Sequence, residues 1–216
     1  MKIVYVVDVH DRVERVDEVL RAVPDADVLV VGGDITTAGT SDDAERAIER
    51  WRPLATHLLA VAGNMDSPAI DDRLVDCGVS IDGRGVVLDD VGFAGVSAAP
   101  HSPLHTPYEI PDEELGRRAA AGLAEVAAAR VRIFCPHTPP HGTACDRIRS
   151  GEHVGSRSLR ALVEQTQPDV VLCGHIHESR GVDSLGLTQI VNPGPVASGH
   201  FALVEVNDTV SVTLEG

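Results

Sequence analysis

The stretch Val170-Val171-Leu172-Cys173-Gly174-His175-Ile176-His177 decides how this chain is read. Its apolar run, introduced by Pro168-Asp169, has the character of a buried strand that stops at a glycine. Histidines at i and i+2 follow at once, so an extended or turning backbone brings both rings to one side. Neutral imidazole is the commonest nitrogen ligand for transition metals, and Gly174 lets the backbone pass close to whatever the rings hold. Taken alone, such a pair is as readily an ordinary surface pair. Its meaning depends on what other segments bring to the same place.

The same arrangement recurs along the chain. Lys2 to Val7 is a near-continuous apolar strand, and Asp8-Val9-His10 lies at its carboxyl end, where open α/β sheets gather their ligands. Asp27 to Val31 runs into Gly32-Gly33-Asp34, and His57 to Val61 into Gly63-Asn64-Met65-Asp66. Val131 to Cys135 ends in Pro136-His137-Thr138-Pro139-Pro140-His141, with prolines restricting the backbone around His137. Each ending alone reads as a turn. Repeated strand, glycine and polar endings are hard to explain as unrelated turns.

Between these strands the spacing predicts helices over Arg12–Ala22, with Asp11 as cap, and Ser41–Trp51, with Ser41 as cap. Further helices are predicted from Ile70 to Cys77, from Pro111 or Asp112 to Ala129, and after Ser156, a cap whose helix start offers free N–H groups to an anion. Short strands are expected at Val79–Ile81, Gly85–Leu88, Val91–Gly95 and Gln189–Val191, followed by a hairpin of Phe201–Val206 and Val210–Leu214 around Asn207-Asp208. The proline-rich loop from Ser97 to Pro111 carries His101 and His105 and is a candidate wall for a site. With no repeat or linker, residues 1–216 read as one domain.

The net charge is −15, and Lys2 is the only lysine among 18 basic side chains. Such an acidic surface repels nucleic acid at ordinary ionic strength and suggests a halophilic, salt-rich cytoplasm. Near molar salt, where the Debye length is about 3 Å, that exclusion lapses. No apolar run reaches membrane-spanning length and no leader pattern opens the chain, so a cytoplasmic protein is expected. Cys77, Cys135, Cys145 and Cys173 form no CxxC pair, which argues against a thiolate zinc site or a disulfide framework.

The ordered set Asp8-x-His10, Gly33-Asp34, Gly63-Asn64, His137 and Gly174-His175-x-His177 resembles the calcineurin-like metallophosphoesterases. His137-x-Pro-Pro-x-Gly-Thr143, His153-Val-Gly-Ser156 and Asn192-Pro-Gly194 point to the small Icc-like group within them. The resemblance implies an α/β fold, a four-layer α/β/β/α sandwich of two mixed sheets flanked by helices. It also implies that Asp8, His10, Asp34 and His177 hold one divalent metal ion and Asp34, Asn64, His137 and His175 a second, with Asp34 bridging. The nitrogen and oxygen donors suit Mn²⁺ first, then Fe, Zn, Co or Ni. A metal-bridging hydroxide would then attack a small phosphodiester or phosphomonoester in line.

One position departs from the family pattern, in which Gly-Asn is followed by a histidine thought to protonate the leaving group. Here it is Met65, a thioether with no proton to give. His141, held by Pro139-Pro140, is the expected substitute, ahead of His101 and His105. The alternatives are a nuclease of the same superfamily and a non-catalytic adaptor on the same fold. The expected partner is a small phosphoester, with no membrane; nucleic acid is disfavoured, and a homo-oligomer is left open.

Overall fold

The computed structural model describes residues 1–216. Strands β1 (Lys2–Val6), β2 (Val28–Val31) and β3 (His57–Ala60) pair in parallel, and β12 (Phe201–Val206) and β13 (Val210–Glu215) extend this sheet antiparallel, in the order β13-β12-β1-β2-β3. A second sheet runs β10-β11-β9-β8-β5-β4. Its strands are β4 (Gly85–Leu88), β5 (Val91–Val96), β8 (Val131–Pro136), β9 (Val170–Leu172), β10 (Gly181–Leu185) and β11 (Thr188–Asn192). β5, β8, β9 and β11 are parallel, and the hairpin partners β4 and β10 close the edges antiparallel. A small parallel pair, β6 (Ala99–Pro100) and β7 (Glu109–Ile110), staples the base of the proline-rich loop.

Strand periodicity explains the layers. Ile3, Tyr5 and Val7 join Val28, Val30, Phe93, Ile133, Leu172 and Val204 in an apolar seam that takes residues from both sheets. The alternate residues Val4, Val6, Leu29 and Val31 belong instead to the cluster that includes the helical residues Val16, Leu20, Ile48 and Trp51. Helices α1 (Val13–Ala22), α2 (Ser41–Trp51) and α3 (Pro68–Asp76) supply that side. On the second sheet, Ala94, Phe134 and Val171 belong with Leu115, Leu123, Leu159 and Val163 of α4 (Asp112–Glu125) and α5 (Arg157–Thr166). The result is two mixed sheets face to face with helices outside both, as expected.

Several local expectations are corrected. Thr40, not Ser41, caps α2, in a reciprocal box with Asp43. Asp11 does not cap α1; its carboxylate accepts the Thr37 N–H at 3.2 Å. Helix α4 stops at Glu125 rather than Ala129, and Val79–Ile81 contributes one isolated bridge, at Ser80, rather than a strand. The α5 start is capped by Ser156 as expected, but the Asp112 carboxylate already accepts the Ser158 N–H at 2.9 Å and the Ser156 hydroxyl. An internal anion therefore takes the place a phosphate would need. Strand β10 went unassigned because its alternation, with exposed Val182, carries little apolar signal. The four cysteines are free thiols.

Candidate metal centre

The carboxyl ends of β1, β2, β3, β8 and β9 open at one edge of the two sheets, and each delivers its polar residues there. Asp8, His10, Asp34 and His175 all take left-handed backbone angles, with φ of 56°, 47°, 50° and 65°. Such angles are costly away from glycine and gather where surrounding structure enforces them. Gly63 shows how tightly the strand ends are packed, since a Cβ there would lie 2.1 Å from Asp34 Oδ1.

Asp8, His10, Asp34 and His177 each place a donor atom within 4.8 Å of the others. A second group adjoins it: Asn64 Oδ1 lies 2.9 Å from His137 Nε2 and 2.6 Å from His175 Nδ1. Asp34 belongs to both, its Oδ2 being 3.6 Å from His10 Nε2 and its Oδ1 3.6 Å from His137 Nε2. The sequence-derived residues thus come together as two sets sharing one carboxylate.

The donor chemistry fits a cation. His137 Nδ1 lies 2.9 Å from the Gly32 carbonyl, which can only accept, so Nδ1 carries the proton and Nε2 a lone pair. That lone pair and the Asn64 amide oxygen are then two acceptors facing each other, an arrangement a metal between them satisfies. Burial holds the His137 and His175 imidazoles in the neutral, ligating form, His175 down to about 3 with help from the His137 ring. Burial, together with Asp8 and Asp66, pushes the Asp34 carboxyl well up, a cost that positive charge would relieve. Burial also works against the Asp8 carboxylate, yet His177, His137 and His10 bring it below its ordinary value.

Supporting residues fix this geometry. The buried Asp66 carboxylate accepts N–H groups from Ile35 (3.1 Å), Thr36 (2.8 Å) and Gly63 (2.9 Å), tying the Asp34 turn to the Asn64 turn. Asn192, also buried, donates to the carbonyls of Ile176 (3.0 Å) and Gly174 (3.5 Å), and so holds the His175–His177 turn. Sequence reasoning gave neither residue this work, although both stand inside the quoted motifs.

The model of the calcineurin-like phosphoesterase superfamily domain matches residues 1–209. The protein MJ1162 of Methanocaldococcus jannaschii is 34% identical over 203 residues, spanning 90% of this chain and 88% of its own. The chain belongs to the calcineurin-like phosphoesterase superfamily. In fold it is similar to the protein TT1561 of Thermus thermophilus, with a TM-score of 0.77, 18% identity and coverage of 98% and 97% of the two chains. A dimetal phosphatase from Danio rerio gives a TM-score of 0.68 at 12% identity, covering 100% of this chain and 96% of that one.

As a member of this superfamily the protein is a hydrolase of phosphoric esters. Its candidate centre opens into a cleft of about 530 Å³ that Asn64, His175 and His177 line together with His101, Pro103 and Leu104 of the proline-rich loop. Met65 is half-buried and uses its backbone, its N–H donating to Asp34 Oδ1 at 2.7 Å and its carbonyl accepting from Ala38. His141 does not line the cleft. Its ring lies against His153, centroids 5.9 Å apart, and His153 in turn is bound to the buried Asp146 at 2.6 Å. The His141 backbone is tied to the start of α5, its N–H donating to the Ser156 carbonyl at 2.9 Å and its carbonyl accepting from Arg160 at 2.8 Å. No helix is long and apolar enough to cross a membrane.

Proposed function

We propose that this phosphoesterase is a dinuclear metal-dependent enzyme acting on small phosphodiesters. The observation that carries the proposal is the placement of Asp34, with one carboxylate oxygen toward each donor set. Asp8, His10 and His177 would complete one site and Asn64, His137 and His175 the other; Mn²⁺, Fe, Zn, Co and Ni all suit these donors. When bound, two such ions supply Lewis-acid polarisation of the phosphoryl group and activation of the attacking water. The chain's own part is to hold them through Asp34 and to keep His137 and His175 neutral by burial.

Charge supports a diester. Two divalent ions less the Asp8 and Asp34 carboxylates and one attacking hydroxide would leave about +1, which one ester anion neutralises. No lysine or arginine lines the cleft, whereas Glu152 and Glu178 do, so no permanently cationic side chain there would greet a second anionic charge. Pro103, Leu104, Ile148 and Val154 offer instead an apolar wall for an uncharged ester arm. The same cleft, with the net charge of −15, argues against a nuclease, and the complete donor set argues against an adaptor. The test is metal analysis with turnover of bis-p-nitrophenyl phosphate and of the monoester p-nitrophenyl phosphate. The expected result is two metals per chain and faster diester turnover, abolished by chelator. Full activity in chelator, or a strong monoester preference, would overturn it.

A further inference from the structure

With methionine at position 65, an alkoxide leaving group needs a proton from elsewhere. The cleft is lined by His101, His175 and His177. Of these, His175 and His177 belong to the donor sets described above, which leaves His101 as the one imidazole facing the cleft with no metal to hold. His105, on the same loop, does not line the cleft, and His141 packs on His153.

The loop gives His101 a partner. Its Nδ1 lies 3.9 Å from Glu109 Oε2, and the Glu109 side chain is 6% exposed against 66% for His101. Glu109 is fastened in turn by the Ser102 N–H (3.0 Å) and hydroxyl (2.7 Å) and by the Thr106 N–H (2.9 Å) and hydroxyl (2.8 Å). Burial works against that carboxylate, but these donors hold its pKa down to about 2. The fixed carboxylate stands on the Nδ1 side of the ring, leaving Nε2 as the free end. The exposed ring can regain its proton from water.

On the reading that this is a metal-dependent phosphodiesterase, we propose that His101, positioned by Glu109, is the proton donor to the leaving group. Water supplies the oxygen that forms the new P–O bond and releases one proton to solvent. As the ester P–O bond breaks, its electron pair stays on the departing oxygen, which takes the proton from His101 Nε2. The neutral imidazole is reprotonated from solvent, and no oxidant or further reactant is needed.

The experiment compares methyl phosphodiesters that differ only in leaving group, p-nitrophenol against benzyl alcohol, using the metal-loaded protein. General acid catalysis is typically worth about 10²–10⁴-fold. His101→Ala and His101→Gln should each shift the benzyl to p-nitrophenyl rate ratio downward by that order. Glu109→Gln should shift the ratio the same way by less, a selectivity change that mere loosening of the loop would not give. Met65→His in the His101→Ala background should recover part of the benzyl rate. Equal losses on both esters, no loss, a selective loss from His141→Ala instead, or a wild type that turns over no benzyl ester would each overturn the proposal. Metal-dependent p-nitrophenyl turnover by the wild type is read separately, so failure of the phosphodiesterase reading itself shows as its absence.

Discussion

His137 Nδ1 lies 2.9 Å from the carbonyl oxygen of Gly32, and this contact turns Nε2 toward Asn64 and Asp34. Gly32 precedes the turn that carries Asp34, so the backbone of the β2 end orients a ligand delivered by β8. Two strands of different sheets are thereby locked at the point where the proposed metal sites meet. His137→Ala removes one set's nitrogen and leaves the other set whole. Metal analysis should fall from two ions per chain to about one, with turnover abolished. Asp34→Asn, which touches both sets, should lose both ions, and retention of two in either variant would contradict the assignment.

The buried imidazoles make the metal-free protein acid-sensitive. His137 is held below its ordinary value by burial, and His175 down to about 3 by burial and the His137 ring. In the unfolded chain both would titrate near about 6.5. Between about pH 6.5 and the folded value the unfolded state therefore binds more protons, and stability falls as pH falls. Each fully shifted imidazole contributes a slope of about 1.4 kcal/mol per pH unit in that window. The raised Asp34 carboxyl works the other way in the same window, so the imidazole contribution is read as a difference between variants. In denaturant unfolding of chelator-treated protein from pH 7 to pH 4, wild type should lose more stability than His175→Asn, and a difference that stays constant across that range would refute the burial of a neutral His175.

Much of this centre was legible because chemistry and backbone coincide in the sequence: a strand, in three cases a glycine, then a donor. Asp8, His10, Asp34, Asn64, His137, His175 and His177 each stand at such a strand ending, and each lies in one of the two converging sets. The location of His141 was not legible. Its distance from His137 along the chain says nothing about ring direction, and the Asp146–His153 pair that draws it away depends on contacts between separate turns. The Glu109 cradle was equally hidden, since Ser102, Thr106 and Glu109 look like ordinary loop residues until the loop closes on the carboxylate. Strand β10 escaped because an edge strand needs no apolar run.

Asp66 serves as a brace for two turns at once. Its two oxygens receive the N–H groups of Ile35, Thr36 and Gly63 together with the Thr36 hydroxyl, 3.0 Å away. Asp66→Asn keeps the shape and removes the buried charge, yet it leaves one acceptor oxygen where there were two. Donors left unpaired in a buried place cost about 1–3 kcal/mol. Loss of a supporting contact to a metal ligand typically weakens metal binding about 10–100-fold. Both losses should be measurable by denaturant unfolding and by competition with a fluorescent chelator. A variant with native metal affinity would reduce Asp66 to a turn former.

Asn192 does for the His175–His177 turn what Asp66 does for the turns before it. Its amide nitrogen donates to the carbonyls of Ile176 and Gly174, and to that of Cys145 at 3.4 Å, while its oxygen accepts the Gly194 N–H at 2.9 Å. Strand β11 carries Asn192 beside β9, so the residue closes the turn that leaves β9 from the neighbouring strand. Asn192→Ala would orphan those carbonyls in a place water does not reach, at a cost of about 1–3 kcal/mol. Asn192→Asp, nearly the same shape, would set a carboxylate against the carbonyl oxygens and should be the worse of the two at neutral pH. Because the turn positions a ligand for each proposed ion, both metals should bind about 10–100-fold more weakly. Metal titration followed by unfolding with saturating Mn²⁺ separates the effects. If the turn matters through the metals, added Mn²⁺ should recover much of the lost stability and, at saturation, turnover. Lost stability with unchanged metal affinity would leave Asn192 a scaffold residue only.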